Sequence, residues 1–175
     1  IIDVKRSFIG SVKKPVIESV DEYRTSCGEA GWVALENIRK LLFACRKARI
    51  SVVFTTGDAI TRQFCGTSTK SETIGKKPDL EGEEIPEEIA PLPSELVIRK
   101  TKASVFFGTP LAQCLRAMGV NSLLVTGTST SGCVRASVVE GFSHGFPCFV
   151  VEECTFDRFE LSHLVSLFDM DWKYA

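Results

Sequence analysis

At 175 residues, 44% of them apolar, the chain has the size and composition of one α/β domain able to bury a core. Its 21 basic and 22 acidic residues leave a net charge of −1, which offers no electrostatic footprint for nucleic acid or an anionic membrane, and no apolar run approaches the ~20 residues that cross a bilayer. Seven cysteines without a C-x-x-C pair, beside only two histidines, argue against a disulfide framework and a metal centre and for a reducing, cytoplasmic setting.

The opening Ile1-Ile2-Asp3 reads as a strand already under way. Residues 32–48 place Val33, Leu35, Ile38, Leu41, Leu42 and Cys45 at spacings of mostly three and four, which predicts a helix with one buried face. Residues 50–55, I-S-V-V-F-T, form a β-branched strand that ends before Gly57. A polar stretch over 57–93, rich in Gly, Pro, Ser and Thr and carrying the acidic run E-G-E-E, reads as a long excursion that could form a lid or be partly disordered. A brief strand is expected at 96–98. A helix over 110–118 follows, with Thr109 as N-cap, Pro110 at its first position and Gly119 after its end. Then come a strand at 122–126, a helix at 134–142, a strand at 148–151 and a last helix at 159–168. Alternation of apolar strands with amphipathic helices predicts a single domain, residues 1–175, with a parallel sheet covered on both faces.

Sites in open parallel α/β sheets form at the carboxyl ends of the strands. Asp3, Lys100 and the segment G-T-S-T-S-G-C ending at Cys133 all fall there. At a helix N-terminus Cys133 would feel the positive end of the helix dipole, which lowers a thiol's pKa. The preceding Ser, Thr and Gly residues could aim backbone N–H groups at an oxyanion. Asp3 could take the thiol proton, and Lys100 could orient Asp3. Each residue also has an ordinary reading: a buried structural cysteine, a capping aspartate, a solvated lysine. Two rivals fail on spacing. The loop lacks the G-K-[ST] ending of a phosphate-binding sequence, and the position where a cysteine phosphatase would carry its arginine is Val139.

The stretches K-T-K-A-S-V-F-F-G-T-P-L (100–111), L-L-V-T-G-T-S-T-S-G-C-V-R-A-S (123–137) and V-V-E-E-C-T-F-D-R (150–158), with the opening I-I-D-V-K-R-S-F, resemble the isochorismatase-like cysteine hydrolase superfamily. That resemblance implies a Rossmann-like three-layer α/β/α fold with a six-stranded parallel sheet and a catalytic triad of Asp3, Lys100 and Cys133. It also implies a cis peptide between Thr128 and Ser129, and an oxyanion hole built from the Ser129 and Cys133 amides. Arg158 matches the family arginine that can clamp a substrate carboxylate, its alternative being a salt bridge with Asp157 or Glu160. Phe8 and Thr128 join it as expected substrate contacts, and Trp32 and Phe64 are candidate pocket walls or core.

T-S-C-G-E-A-G-W (25–32), L-V-I-R-K-T-K (96–102) and the ending L-F-D-M-D-W-K-Y-A (167–175) are similar to the N-carbamoylsarcosine amidohydrolase branch, beside which biuret hydrolases stand. The resemblance implies hydrolysis of a small amide or ureide with release of ammonia, without cofactor or metal, in a homo-oligomer, dimer or tetramer. Maleamate- or ureidoacrylate-type chemistry on the same triad, or a catalytically silent metabolite-binding protein, are the alternatives. The metal-binding histidines of nicotinamidases have no counterpart in T-T-G-D-A-I-T (55–61).

Overall fold

The computed structural model describes residues 1–65 and 77–175. After an opening extended segment come α1 (Arg6–Ile9), α2 (Val16–Ser19), α3 (Glu29–Lys47), β1 (Val53–Gly57) and α4 (Arg62–Cys65). Two 3₁₀ turns, Glu81–Glu83 and Glu87–Ile89, lead to β2 (Leu96–Lys100), α5 (Leu111–Ala117) and β3 (Leu123–Thr128). A π-helical turn, Thr130–Val134, runs into α6 (Arg135–Ser143), followed by β4 (Cys148–Phe156) and α7 (Glu160–Lys173). The middle of the polar excursion, residues 66–76, lies outside the described residues.

β1 pairs in parallel with β2, and β3 with β4. The opening segment joins the two pairs, because Ile2 bridges in parallel to both Thr55 and Gly127. The resulting order is β2, β1, the Ile2 segment, β3, β4. The described residues thus form four strands and one bridging segment where six strands were expected. Asp3 takes a positive φ of 52°, a left-handed conformation outside the strand region, so regular pairing of the opening segment stops there.

The sheet's two faces carry separate cores. On one, α3 lays Ala34, Leu35, Ile38 and Leu42 against Phe54, Cys154 and Phe156. On the other, α6 and α7 bring Val138 and Met170 to Ile2 and Val125, and α5 brings Leu111 and Leu115 to Ile98 and Phe106. Helix α5 begins one residue later than expected, with Pro110 at the N-cap, although Thr109 Oγ1 does accept from the Leu111 N–H. Among the described residues, no helix is long and apolar enough to cross a membrane.

Candidate active site

The strand ends bring Asp3, Lys100 and Cys133 together in the interior. Asp3 is anchored on β1: its N–H donates to Thr55 O at 3.2 Å, and Thr55 Oγ1 donates back to Asp3 Oδ1 at 2.8 Å. The other carboxylate oxygen, Oδ2, accepts from Lys100 Nζ at 2.6 Å. Lys100 is the last residue of β2, and its ammonium also donates to Lys102 O at 3.1 Å and Ala103 O at 3.0 Å. The two side chains are 3% and 1% exposed, so this ion pair operates far from bulk water. Cys133 interacts with both members through its thiol.

The charges set one another. Burial alone would raise the Asp3 carboxyl, but Lys100, and after it Lys5, hold it below the ordinary carboxylate value. Burial alone would lower the Lys100 ammonium, but Asp3 and Cys133 keep it above its usual value. Cys133 departs from the sequence expectation. Burial first, and then the Asp3 charge, push its thiol up to about 11, against the pull of Lys100. Cys133 does lie at the N-terminal end of a helical stretch, since the π-helical turn runs straight into α6, but burial and the Asp3 charge outweigh any help from that terminus. So raised, the Cys133 thiol stands protonated near neutral pH beside the Asp3 carboxylate.

Several features shape the cysteine turn. The Thr128–Ser129 peptide bond is cis. Ser129 O accepts from the Gly132 N–H at 2.9 Å and the Val134 N–H at 3.1 Å. From the far end of β4, buried Asp157 accepts from both the Ser131 N–H at 2.8 Å and Ser131 Oγ at 2.6 Å, while Thr130 Oγ1 lies 2.8 Å from His163 Nδ1 on α7. Thr128 is fully buried and donates its hydroxyl to Phe156 O at 3.0 Å. Just before it, Gly127 has φ 111°, and a Cβ there would stand 2.0 Å from Ile2 O. Only glycine lets the opening segment run this close to β3.

Other expected residues fall outside this cluster. Arg158 forms neither of the salt bridges weighed for it: its Nη1 donates to Thr25 O at 2.9 Å, because the Asp157 carboxylate is turned to Ser131 and to the Arg158 N–H. Its charge does reach Cys27, which touches the Thr128 hydroxyl at 3.6 Å. Phe8, on α1, packs against the α3 core and under the Lys5 ammonium. Trp32 is likewise partly buried against that core, and Phe64 is exposed. Glu83, in the acidic run E-G-E-E of the polar excursion, is buried and paired with Lys5 and, at 2.6 Å, with Arg62.

Among the described residues, no group of three or more His, Cys, Asp or Glu side chains comes together to hold a metal ion. An apolar cavity of about 700 Å³ opens at the opposite strand ends, lined by residues such as Val53, Leu115 and Leu123; the titratable cluster is not there.

Compared with known proteins, the chain matches the isochorismatase domain family over residues 1–175. It is 49% identical over 89 residues, 51% of this chain and 42% of the relative, to a maleamate amidohydrolase of Pseudomonas putida. It is 31% identical over 148 residues, 81% of this chain and 56% of the relative, to an N-carbamoylsarcosine amidase of an Arthrobacter species. The chain thus spans about half the length of these two curated relatives. An isochorismatase-like hydrolase from Alkaliphilus metalliredigens superposes with a TM-score of 0.78 at 18% identity, covering 98% of this chain and 87% of that one, which establishes the shared α/β fold.

Proposed function

The chain belongs to the isochorismatase domain family, and on that premise we propose that it is a cysteine-dependent amidohydrolase acting on a small N-carbamoyl or ureide compound. The observation that carries this reading is the convergence of Asp3, Lys100 and Cys133, with the thiol beside a carboxylate held ready to receive its proton. Asp3 accepts the Cys133 proton as Sγ attacks the carbonyl carbon. The Ser129 and Cys133 amides hold the oxyanion, each such donor being worth about 3 kcal/mol. Asp3 returns the proton to the departing nitrogen, ammonia leaves, and water then cleaves the thioester with Asp3 again as base. Lys100 keeps Asp3 ionised and oriented. Arg158 offers the remaining N–H groups of its fork to a substrate carboxylate, while Thr128 and Phe8, packed in the interior, shape the site from behind.

A maleamate-type substrate on the same triad is the second reading, favoured by the 49% identity over 89 residues to the maleamate amidohydrolase. Ammonia release from N-carbamoylsarcosine, biuret, ureidoacrylate and maleamate separates the two. Turnover of N-carbamoylsarcosine or biuret supports the first, turnover of maleamate or ureidoacrylate without them the second, and silence on every compound removes the amidohydrolase reading.

The same proposal includes self-association. Leu161, Leu164, Val165, Phe168 and Trp172 recur at helical spacing along α7 and are all at least half exposed. Large aromatics in such a stripe bring the apolar surface to several hundred Å², on the scale of one partner's share of a stable dimer. We assign this stripe to a second copy of the chain. Sedimentation velocity is expected to show an oligomer that Phe168→Asp with Trp172→Asp converts to monomer; a monomeric wild type would remove the assignment.

A further inference from the structure

A second buried ion cluster adjoins Asp3 and has no part in the mechanism above. Lys5, two residues after the aspartate, is 3% exposed and pairs with Glu83 Oε2. Glu83 belongs to the 3₁₀ turn of the excursion and is itself 7% exposed. Its carboxylate also accepts from Arg62 Nη1 at 2.6 Å and from the Gly57 N–H at 2.6 Å. Gly57 is the last residue of β1 and is in register with Lys100. A Cβ on Gly57 would stand 2.2 Å from Glu83 Oε2, so the absence of a side chain lets the carboxylate reach the strand end. Thr56 Oγ1 adds a bond to Glu83 O at 2.5 Å. Burying a carboxylate with two cations and a backbone donor is costly unless it is well satisfied, and here both Glu83 carboxylate oxygens accept from donors.

The position of this cluster points to its use. Asp3 is faced by Lys100 from β2, Lys5 from its own segment, Cys133 from the π-helical turn and the amino group of Ile1. Lys100 is bonded to Asp3 directly, whereas Lys5 acts on it through space and makes its ion pair with Glu83.

Resting on the amidohydrolase reading, we infer that Glu83 is a positioning residue for Asp3: by holding the Lys5 ammonium it leaves Lys100 as the ionic partner of the base, and so keeps Asp3 basic enough to receive the Cys133 proton. Through Glu83 the described part of the excursion thereby acts on the base by charge. Without Glu83 the Lys5 charge bears on Asp3 uncompensated and weakens it as a base. Without Lys5 the opposite holds, because Glu83 then adds negative charge nearby. The two substitutions thus have opposite signs, which a purely structural role would not give.

The test is a ¹³C-carboxyl NMR titration of Asp3, assigned with Asp3→Asn, in the wild type, Glu83→Gln, Lys5→Met and the double variant, alongside the pH profile of ammonia release. Glu83→Gln is expected to lower the Asp3 midpoint and Lys5→Met to raise it, each by about one pH unit, the size typical of a neighbouring charge. The double variant should return towards the wild-type value. The acidic limb of ammonia release should move in the same directions. Midpoints unchanged in both single variants would overturn the inference. If Glu83→Gln does not fold, the double variant compared with Lys5→Met decides: a lower midpoint in the double variant supports the proposal, and equal midpoints overturn it. The titration needs no substrate, so moved midpoints in a protein that releases no ammonia would sustain the positioning role while removing the amidohydrolase reading.

Discussion

Cys133→Ala is expected to abolish ammonia release, by about a thousandfold or more, with the fold intact. The side chain is only partly buried, and alanine removes a single sulfur without leaving a charge unpaired. Asp3 and Lys100 keep each other as partners, so the loss should appear in turnover and not in the unfolding midpoint. The elevated thiol adds a second expectation. A resting cysteine pushed up to about 11 should react slowly with iodoacetamide at pH 7, with a rate that climbs through the alkaline range. Turnover at pH 7 would nevertheless proceed, because the proton passes to Asp3 in the step that forms the carbon–sulfur bond. Mass spectrometry of alkylated peptides, followed against pH, checks this directly. Rapid labelling at neutral pH would mean a preformed thiolate, and full activity in Cys133→Ala would remove the cysteine mechanism altogether.

The strand-end rule made Asp3, Lys100 and Cys133 legible in the sequence, since it needs only the order of strands and the residues that follow them. Local energetics were harder to read. Over five residues, a π-helical turn and the start of an α-helix present the same Ser, Thr and Gly pattern; the burial and the neighbouring Asp3 charge that push the thiol up exist only once the distant strand ends meet. The last strand was placed at 148–151, yet β4 runs to Phe156. Glu152 and Glu153 interrupt its apolar run, but β4 pairs only with β3 among the described residues, and an edge strand can leave such side chains in water. Glu83 was hidden for a different reason. Its partners lie 78 and 21 residues away, and an acidic run looks solvated until the fold supplies the cations.

Lys100→Met is expected to cost both activity and stability, and to change how stability depends on pH. In the wild type the Asp3 carboxyl lies below its unfolded value of about 3.8. Its contribution to stability is therefore fully present above that value and is lost as pH falls through the lower, folded-state value. Removing the lysine strands a buried carboxylate, a defect typically worth about 3–5 kcal/mol. Burial then becomes the leading influence on Asp3 and acts to raise its pKa, with Lys5 the remaining cation that opposes it. Where burial prevails, the sign reverses: the variant is favoured with Asp3 protonated and loses stability as pH rises through the new folded value. Urea unfolding at pH 7 and pH 5 should accordingly show a deficit that narrows at the lower pH. Asp3→Asn combined with Lys100→Met should recover much of the stability, because no buried charge is left unpaired, while ammonia release stays absent. A deficit that is the same at both pH values, and that Asp3→Asn does not relieve, would show that Lys100 supports the fold through its packing and its bonds to Lys102 O and Ala103 O, and not through the charge of Asp3.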